Sequence, residues 1–496
     1  MTDRTWPLKQ TLAVLALTGR QLVACGTPAG GGDEPAHQTQ AGSAASGGSA
    51  ASGGSATSGG AGGSAGTNSS AGELPLAAGA GSGGQSTSGG ASAVAGADGS
   101  GGQLGGTSGS AAGGQAPTAG SNGSEAWVGT WATAQQLTEP ANNPPSPGLA
   151  DNTLRQIVRV SIGGKRLRLR FSNEYGSSPI TLKKVHCAVA TGAGKSSITA
   201  GTDKALAFEG APSITIPAKA AVLSDPFDFA LAPLSTLAVS IHFGAVSSDV
   251  TGHPGSRTTS YLQAGDQVAA ASLTGATTDH WYVLAGVDVV ADGNSHAVVI
   301  LGDSITDGRG STTNGNDRWT DALAQRLQMN ASTAAVGVIN KGIGGNNVLS
   351  DGLGPPATAR FEADVLKQPG ARWLIVFAGV NDLGAATATT ASSLIGAYQE
   401  FVSRAHGAKM LAFGATILPF KGHSHYTPEH ETARTTVNEW IRKPGNFDAV
   451  IDLDAVARDP AQPDTLAAAY DSGDHLHLNP AGYKKLADAV DLTLFK

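Results

Sequence analysis

HAVVILGDSITDGRG, at residues 296–310, decides how the second half of this chain is expected to fold. Its apolar run at 297–301 has the length and the β-branched content of a strand buried in a parallel sheet. The run ends at the GDS tripeptide 302–304, whose residue types favour a sharp turn. Ser304 is therefore expected at the carboxyl end of a central strand, the edge of an open α/β sheet where catalytic groups collect. Taken alone, the fragment also fits a strand that ends in an ordinary polar turn.

The sequence around this stretch alternates between strand-like and helix-like segments. The strand candidates are 297–301, 336–340, 373–377, 410–413 and 449–452. The helix candidates are 319–328, which Asp317 is expected to cap, 357–367, 391–406, 428–441 and 480 to about 494. Strands separated by helices predict a parallel sheet covered on both faces, so residues 294–496 are predicted to form an α/β domain.

The preceding region, residues 126–293, carries the period-two alternation of β-strands. Apolar and polar residues alternate over 154–171, interrupted by a Gly-Gly pair, which predicts a β-hairpin with one exposed face. Similar alternation at 237–243 and a strand-like stretch at 281–290 predict a β-sandwich domain. Three arginines alternate with the apolar residues of the second predicted strand: Arg166, Arg168 and Arg170. They fit either a solvated strand face or a binding stripe.

Composition separates the first quarter of the chain from the rest. Residues 26–125 consist almost entirely of Gly, Ser, Ala and Thr, which cannot bury enough apolar surface to offset the ordering of the backbone. They are predicted to be a disordered tether. The chain has two cysteines, Cys25 and Cys187. The second lies in a mostly apolar stretch and is expected to be a buried, inert thiol.

Residues 1–25 have the parts of an export signal. Two basic residues precede a short apolar segment, and the sequence LVAC at 22–25 resembles a bacterial lipobox, in which Cys25 is lipidated. Arg20 and Gln21 depart from that pattern. The protein is therefore predicted to be exported, as a cell-envelope lipoprotein or otherwise as a secreted protein, with an unprocessed or misassigned start as the remaining alternative.

Charge and hydropathy exclude several classes of partner. The formal net charge is −7 at pH 7, and no cluster of Lys and Arg forms a stripe, which argues against nucleic acid and anionic membrane surfaces. No run of eighteen apolar residues is present, so a membrane contact is expected only through the lipid anchor. The oligomeric state is not predicted.

Four short motifs fall at the ends of the predicted α/β elements: GDSIT at 302–306, NKGIGGN at 340–346, GVND at 379–382 and DHLH at 474–477. In this order and context they resemble the four sequence blocks of the SGNH/GDSL hydrolase family. The resemblance covers residues 296–496 and implies a flavodoxin-like three-layer sandwich with a five-stranded parallel sheet. Strings such as SRTTSYL at 256–262 also resemble the region that precedes the catalytic domain in two-domain bacterial esterases of this family.

The resemblance implies a role for individual residues. Ser304 matches the nucleophile, His477 the base and Asp474 the group that orients the base. Gly345 and Asn381, with the Ser304 backbone N–H, match the donors of an oxyanion hole, although the adjacent Gly344 is an alternative to Gly345. This chemistry requires neither a cofactor nor a metal.

Elementary chemistry supports the same assignment. A serine hydroxyl needs a base to take its proton, and an imidazole held by a carboxylate is the usual means. His475 is an alternative base, but it is adjacent to Asp474, which would direct the two side chains apart in an extended chain. Asp307 and Arg309, just past the nucleophile, are expected to be structural, with contact to the substrate as the alternative.

Three further histidines cluster after the fourth predicted strand: His423, His425 and His430. A metal site, a loop that lines the substrate site and plain surface histidines are the three interpretations. No Cys or carboxylate stands at ligand spacing among them, which disfavours the metal site.

These features predict an exported serine esterase that acts on a small-molecule or polysaccharide ester. Short acyl groups, such as acetyl on a carbohydrate, are favoured, and a lysophospholipase or broad arylesterase is the alternative. A hypothesis from another class is a surface carbohydrate-binding lipoprotein whose hydrolase domain is inactive. The β-sandwich domain is expected to bind carbohydrate, to form a wall of the active-site cleft or to support the catalytic sheet.

Overall fold

A computed structural model describes residues 125–291 and 294–496. The predicted export signal, the lipobox with Cys25 and the tether up to residue 124 lie outside the described residues and stay predictions. Within the described ranges, no helix has the length and apolar character needed to cross a membrane.

The first half of the described chain is built from short and medium β-strands. They are β1 (Trp127–Ala132), β2 (Gln136–Leu137), β3 (Asn152–Arg159), β4 (Gly164–Ser172), β5 (Ile180–Val189), β6 (Lys204–Ala205), β7 (Ile214–Ile216), β8 (Ala221–Leu223), β9 (Phe227–Leu231), β10 (Thr236–Phe243), β11 (Thr251–His253), β12 (Ser260–Ala264), β13 (Ala276–Thr278), β14 (Trp281–Tyr282) and β15 (Leu284–Val290). Every pairing between these strands is antiparallel.

Two larger sheets and one small sheet organise these strands. One has the order β1-β15-β4-β8, with β9 also paired to β4, and the other has the order β13-β12-β3-β10-β5-β6, with β7 paired to β5. The small sheet has the order β14-β11-β2. Inward residues of β4 and of β10 belong to one hydrophobic core, as expected for a β-sandwich. Cys187 is fully buried in that core, and burial raises the pKa of its thiol.

The predicted hairpin over 154–171 is wrong. Strand β3 pairs with β10 and β12, whereas β4 pairs with β15, β8 and β9 in the other large sheet. The Gly-Gly pair therefore marks a crossing between sheets. A Cβ on Gly163 would lie 2.3 Å from the Leu231 carbonyl oxygen, so glycine serves a close backbone approach there. Alternation identifies a strand but does not identify its partner.

The arginines of β4 are half-buried and ion-paired. Arg168 and Arg170 lie 2.9 Å and 3.7 Å from the Asp288 carboxylate, and Arg168 also stacks over Trp127. Arg166 pairs with Glu125 and Asp228. These ion pairs lie within the β-rich half, and the side chains are less exposed than the predicted solvated strand face.

The second half is the predicted α/β domain. Its strands are β16 (His296–Gly302), β17 (Val336–Gly342), β18 (Ala371–Phe377), β19 (Leu411–Ala415) and β20 (Ala449–Ile451). Its helices are α1 (Ser304–Asp307), α2 (Trp319–Met329), α3 (Ala357–Phe361), α4 (Val380–Leu383), α5 (Thr390–Gly407), α6 (Pro428–Arg442), α7 (Leu453–Ala457) and α8 (Pro480–Ala489). The five strands are parallel in the order β17-β16-β18-β19-β20, the flavodoxin-like order, which confirms the predicted fold class.

Three local predictions differ from the structure. The helix expected at 357–367 is α3 followed by a π-helical turn at Glu362–Leu366, and the last helix ends at Ala489 before a 3₁₀ turn at Leu492–Phe495. Asp317 does not cap α2, because its carboxylate accepts the Thr312 N–H instead. Helix ends depend on such local competition for backbone donors.

The β-rich half packs directly against the outer strand β17 of the α/β sheet. Ser161 Oγ accepts the Val338 N–H at 2.9 Å, and Lys341 Nζ donates to the Thr133 carbonyl oxygen at 2.8 Å. All described residues fall in one compact unit. His253, the last residue of β11, also contacts Asp307 beyond the carboxyl end of β16, so the β-rich half reaches the carboxyl edge of the α/β sheet.

Candidate active site

The turn after β16 holds Ser304 at the carboxyl edge of the sheet. Asp303 caps α1, with its Oδ1 accepting the Ile305 N–H at 3.0 Å, and Ser304 is the buried first residue of that helix. Burial raises the pKa of Asp303 to about 7. The serine hydroxyl is thus fixed at the tip of a central strand.

Ser304, His477 and Asp474 form one chain of hydrogen bonds. Ser304 Oγ lies 2.8 Å from His477 Nε2, and His477 Nδ1 lies 2.7 Å from Asp474 Oδ2. The other carboxylate oxygen of Asp474 accepts the backbone N–H groups of His477 and Leu476 at 2.8 Å and 3.1 Å. With Nδ1 donating to the carboxylate, Nε2 is the nitrogen that is free to accept the serine proton.

The pKa values of this pair suit a neutral base beside a charged carboxylate. Burial opposes the charge on Asp474, but hydrogen bonds from His477 outweigh it and hold the pKa of Asp474 below its usual range. Burial lowers the pKa of His477, Asp474 opposes this, and the charges of Arg309 and Arg257 lower it further. The pKa of His477 is lowered overall, which favours the neutral imidazole that a general base requires.

His475 does not approach the serine. Its Nδ1 lies 2.7 Å from Asp471 Oδ2, its side chain is 51% exposed, and its backbone has a left-handed φ of 61°. That φ turns the chain between the two histidines, so only His477 reaches Ser304.

The predicted oxyanion residues lie on neighbouring loops of the same sheet edge. Asn381, in α4, donates from Nδ2 to the Asn346 carbonyl oxygen at 2.9 Å. The Asp382 carboxylate accepts the Val348 and Leu349 N–H groups at 2.8 Å and 3.0 Å, which holds the same loop. Gly345 has a left-handed φ of 64°, a conformation that favours glycine. The structure therefore brings Asn381 onto the loop of Gly345, after the strand beside β16.

Arg360 is buried and makes several hydrogen bonds near the site, a role that was not predicted from the sequence. Its guanidinium donates at 2.8 Å to the carbonyl oxygens of Gly302 and Lys341, at the ends of β16 and β17. It also donates to Asn346 Oδ1 at 3.1 Å and 2.9 Å and to Asp364 at 2.8 Å. The sequence feature that could have identified this role is an arginine on the apolar face of a predicted helix with an aspartate one turn later.

The β-rich half supplies a buried partner to the nucleophile helix. His253 Nδ1 lies 2.9 Å from the Ala134 carbonyl oxygen, and its Nε2 lies 2.9 Å from Asp307 Oδ1, at the end of α1. The charge and hydrogen bond of His253, with Arg257 and Arg318, outweigh burial and lower the pKa of Asp307. His253 thus bridges a backbone carbonyl oxygen of the β-rich half and a carboxylate of the α/β half. Asp307 is therefore a structural anchor between the two halves.

The loop of His423, His425 and His430 is held by its own hydrogen bonds. His423 Nδ1 accepts the His425 N–H at 3.2 Å, and His430 Nδ1 lies 2.6 Å from the His425 carbonyl oxygen. Among residues 125–291 and 294–496, no group of three or more His, Cys, Asp or Glu side chains is arranged to hold a metal ion.

Comparisons with known proteins show that part of the chain matches a known family and resembles several solved structures. Residues 300–485 match the model of the GDSL-like lipase/acylhydrolase family. Similar solved structures include a lipolytic protein of the G-D-S-L family from Desulfitobacterium hafniense, with 23% identity, a TM-score of 0.32, and 39% of this chain and 97% of that chain covered. An acetylxylan esterase from Geobacillus stearothermophilus has 22% identity and a TM-score of 0.31, with 40% and 93% covered. No curated protein matches the chain.

Proposed function

We propose that this chain, whose residues 300–485 belong to the GDSL-like lipase/acylhydrolase family of carboxylic ester hydrolases, works as a serine esterase through an acyl-enzyme. The observation that carries the proposal is the continuous hydrogen-bonded chain from Ser304 Oγ through His477 to Asp474, with distances of 2.8 Å and 2.7 Å. The first distance is within the range that proton transfer to a general base requires, and the second lets Asp474 hold the imidazole in orientation.

In the first half of the reaction, Ser304 Oγ attacks the carbonyl carbon of the ester and its proton passes to His477 Nε2. The negative charge that forms on the carbonyl oxygen is received by the Ser304 and Gly345 N–H groups and the Asn381 amide. One such donor typically contributes about 100- to 1000-fold in rate. Asp474 keeps the imidazolium in orientation and stabilises its charge.

In the second half, the tetrahedral intermediate collapses, its bond to the alcohol oxygen breaks, and His477 returns the proton to the leaving alcohol. A water molecule then attacks the acyl carbon and gives its proton to His477. The second intermediate releases the acid, and the proton returns to Ser304 Oγ, so that the enzyme is regenerated without any cofactor.

The proposed substrates are short acyl esters, with acetyl groups on a carbohydrate as the favoured case. The reasons are the predicted export, the acidic overall charge and the accessory β-rich half. Lysophospholipids and aryl esters are the alternative substrates. A surface carbohydrate-binding lipoprotein with an inactive hydrolase domain is the alternative of another class.

Hydrolysis of 4-nitrophenyl acetate as a function of pH tests the proposal. We expect kcat/KM to fall as the pH decreases through the pKa of His477, because the protonated ring cannot accept the serine proton. Burial lowers that pKa from 6.5, so the midpoint of the acid limb is expected below 6.5. Acetylated xylan and a lysophospholipid, assayed in parallel, rank the substrate classes. No hydrolysis of any of these esters would favour the inactive binding protein.

We also propose that the protein is exported and anchored through Cys25. Replacing Cys25 by alanine is expected to move the protein from the membrane fraction to the soluble fraction, as measured by fractionation and immunoblotting. Cys187→Ala is the matched control, because Cys187 is buried in the β-rich half and its loss leaves the lipobox intact. Membrane association that persists in the Cys25 variant would contradict the anchor.

A further inference from the structure

Arg257 reaches the candidate active site from the β-rich half. It follows the 3₁₀ turn Pro254–Ser256 with a left-handed φ of 45°, which is uncommon for a residue with a side chain. Its carbonyl oxygen accepts the Asn314 N–H of the α/β half at 2.9 Å. A strained backbone that is held by contacts across an interface often marks a functional position.

The guanidinium of Arg257 is only partly satisfied. Nη1 donates to the Gly255 carbonyl oxygen at 2.7 Å and lies 3.6 Å from Asp307 Oδ2, beyond hydrogen-bond distance. Within the described ranges, its Nε and Nη2 have no hydrogen-bond acceptor, and the side chain is 22% exposed. Asp307 is already engaged by His253 through its other oxygen. Arg257 therefore presents free N–H donors in a partly buried setting.

Arg309 presents a second cation from the α/β half. Its backbone is fixed, because its N–H donates to the Ser304 carbonyl oxygen at 2.9 Å and its own carbonyl oxygen accepts the Tyr483 hydroxyl. Its side chain is 64% exposed, and its Nε lies 3.9 Å from Asp474 Oδ2, too far for a hydrogen bond. The guanidinium of Arg309 therefore makes only a long ion pair with Asp474 and remains accessible to a ligand.

Arg309 lies beside the base, because its Nε is 3.9 Å from the same Asp474 oxygen that His477 Nδ1 contacts at 2.7 Å. Arg257 lies 3.6 Å from Asp307, three residues after Ser304, and the charges of both arginines lower the pKa of His477. Arg257 keeps two guanidinium nitrogens without an acceptor among the described residues, and the side chain of Arg309 is 64% exposed, so both side chains can present positive charge to a ligand. A cationic surface beside a catalytic base raises the local concentration of anionic substrates.

We propose that Arg257 and Arg309 form an anion subsite beside His477 that binds a carboxylate on the alcohol half of the substrate. The alcohol half is specified because His477 returns its proton to the leaving alcohol, so this part of the substrate lies on the same side as the base. The preferred substrate is then the O-acyl ester of a hydroxylated carboxylic acid, such as an acetylated sugar acid. The inference rests on the proposed esterase function and deepens it.

Two isosteric acetate esters test the subsite: 4-acetoxybenzoate, which carries a carboxylate, and 4-acetoxybenzamide, which is neutral. We expect the wild-type protein to hydrolyse the benzoate with a kcat/KM about tenfold higher, the effect of one or two charge-assisted hydrogen bonds in a partly exposed site. In Arg257→Gln, Arg309→Gln and the double variant, this ratio is expected to fall towards one. The preference should also weaken as the salt concentration rises.

Arg372→Gln is the matched control, because Arg372 lies in β18 near the amino end of the sheet and stacks over Trp373. It is expected to retain the wild-type ratio. Equal kcat/KM values for the two esters in the wild type, or a ratio unaltered in the double variant, would overturn the subsite and leave the esterase function intact.

Calorimetric binding to Ser304→Ala separates the subsite from catalysis. This variant lacks the nucleophile and hydrolyses the esters too slowly to disturb the measurement, and we expect it to bind 4-acetoxybenzoate more tightly than 4-acetoxybenzamide. Equal affinities would refute the subsite whatever the activity of the wild type. Tighter binding of the benzoate without any hydrolysis by the wild type would support the subsite and refute the esterase.

Discussion

Ser304→Ala is expected to lower kcat for 4-nitrophenyl acetate by about 10⁴- to 10⁶-fold, because the variant lacks the oxygen that forms the acyl-enzyme. The residual rate comes from the oxyanion donors, which still bind the transition state. His477→Ala is expected to lose a similar amount, since the nucleophile and its base act as a unit and their effects do not add. Steady-state kinetics on purified variants measures both.

His475→Asn is the control for the histidine substitution. Asn tolerates the left-handed backbone at this position, and His475 pairs with Asp471 rather than with the serine. Its activity is expected to stay within a few-fold of the wild type. A large loss in His475→Asn together with a small loss in His477→Ala would reverse the assignment of the base.

Arg360→Met is expected to cost about 3–5 kcal/mol of unfolding free energy, the usual effect of removing one partner from a buried ionic network. The side chain of Arg360 is 3% exposed. Its loss removes one donor from each of the Gly302 and Lys341 carbonyl oxygens and leaves Asp364 with Lys341 as its remaining cation among the described residues. Urea denaturation followed by circular dichroism measures the change.

Arg404→Met is the control for this substitution. Arg404 pairs with Glu362 in the segment that follows α3, but both side chains are accessible to water. The expected cost is therefore within about 1 kcal/mol. Similar losses in the two variants would show that the network around Arg360 adds nothing beyond an exposed ion pair.

The α/β half could be predicted from the sequence almost element by element. Its strands are short apolar runs that end in glycine or polar turns, and the helices between them have apolar periodicity. Ser304, Asn381, Asp474 and His477 each stand beside the end of such an element, so their convergence at one sheet edge follows from the parallel topology. This convergence could be predicted because each motif and each strand or helix pattern lies within a single short segment of the sequence.

Contacts between residues far apart in the sequence could not be predicted in this way. His253 meets Asp307 across a separation of 54 residues, and Arg360 meets Gly302 across 58 residues. The two strands expected as a hairpin lie in different sheets for the same reason, since a strand pattern does not encode its partner. Such pairings depend on how the sheets pack, which no single segment specifies.

The sequence by itself determined the fold class of the α/β half, the nucleophile turn and the identity of the residues expected to carry the chemistry. The tertiary structure decided which histidine reaches Ser304, where Arg360 ties the sheet edge together, and that the β-rich half delivers His253 and Arg257 to the site. Local patterns record the conformation of a segment and the burial of its faces, whereas charge placement at a site is set by surfaces that meet only after the two halves have packed.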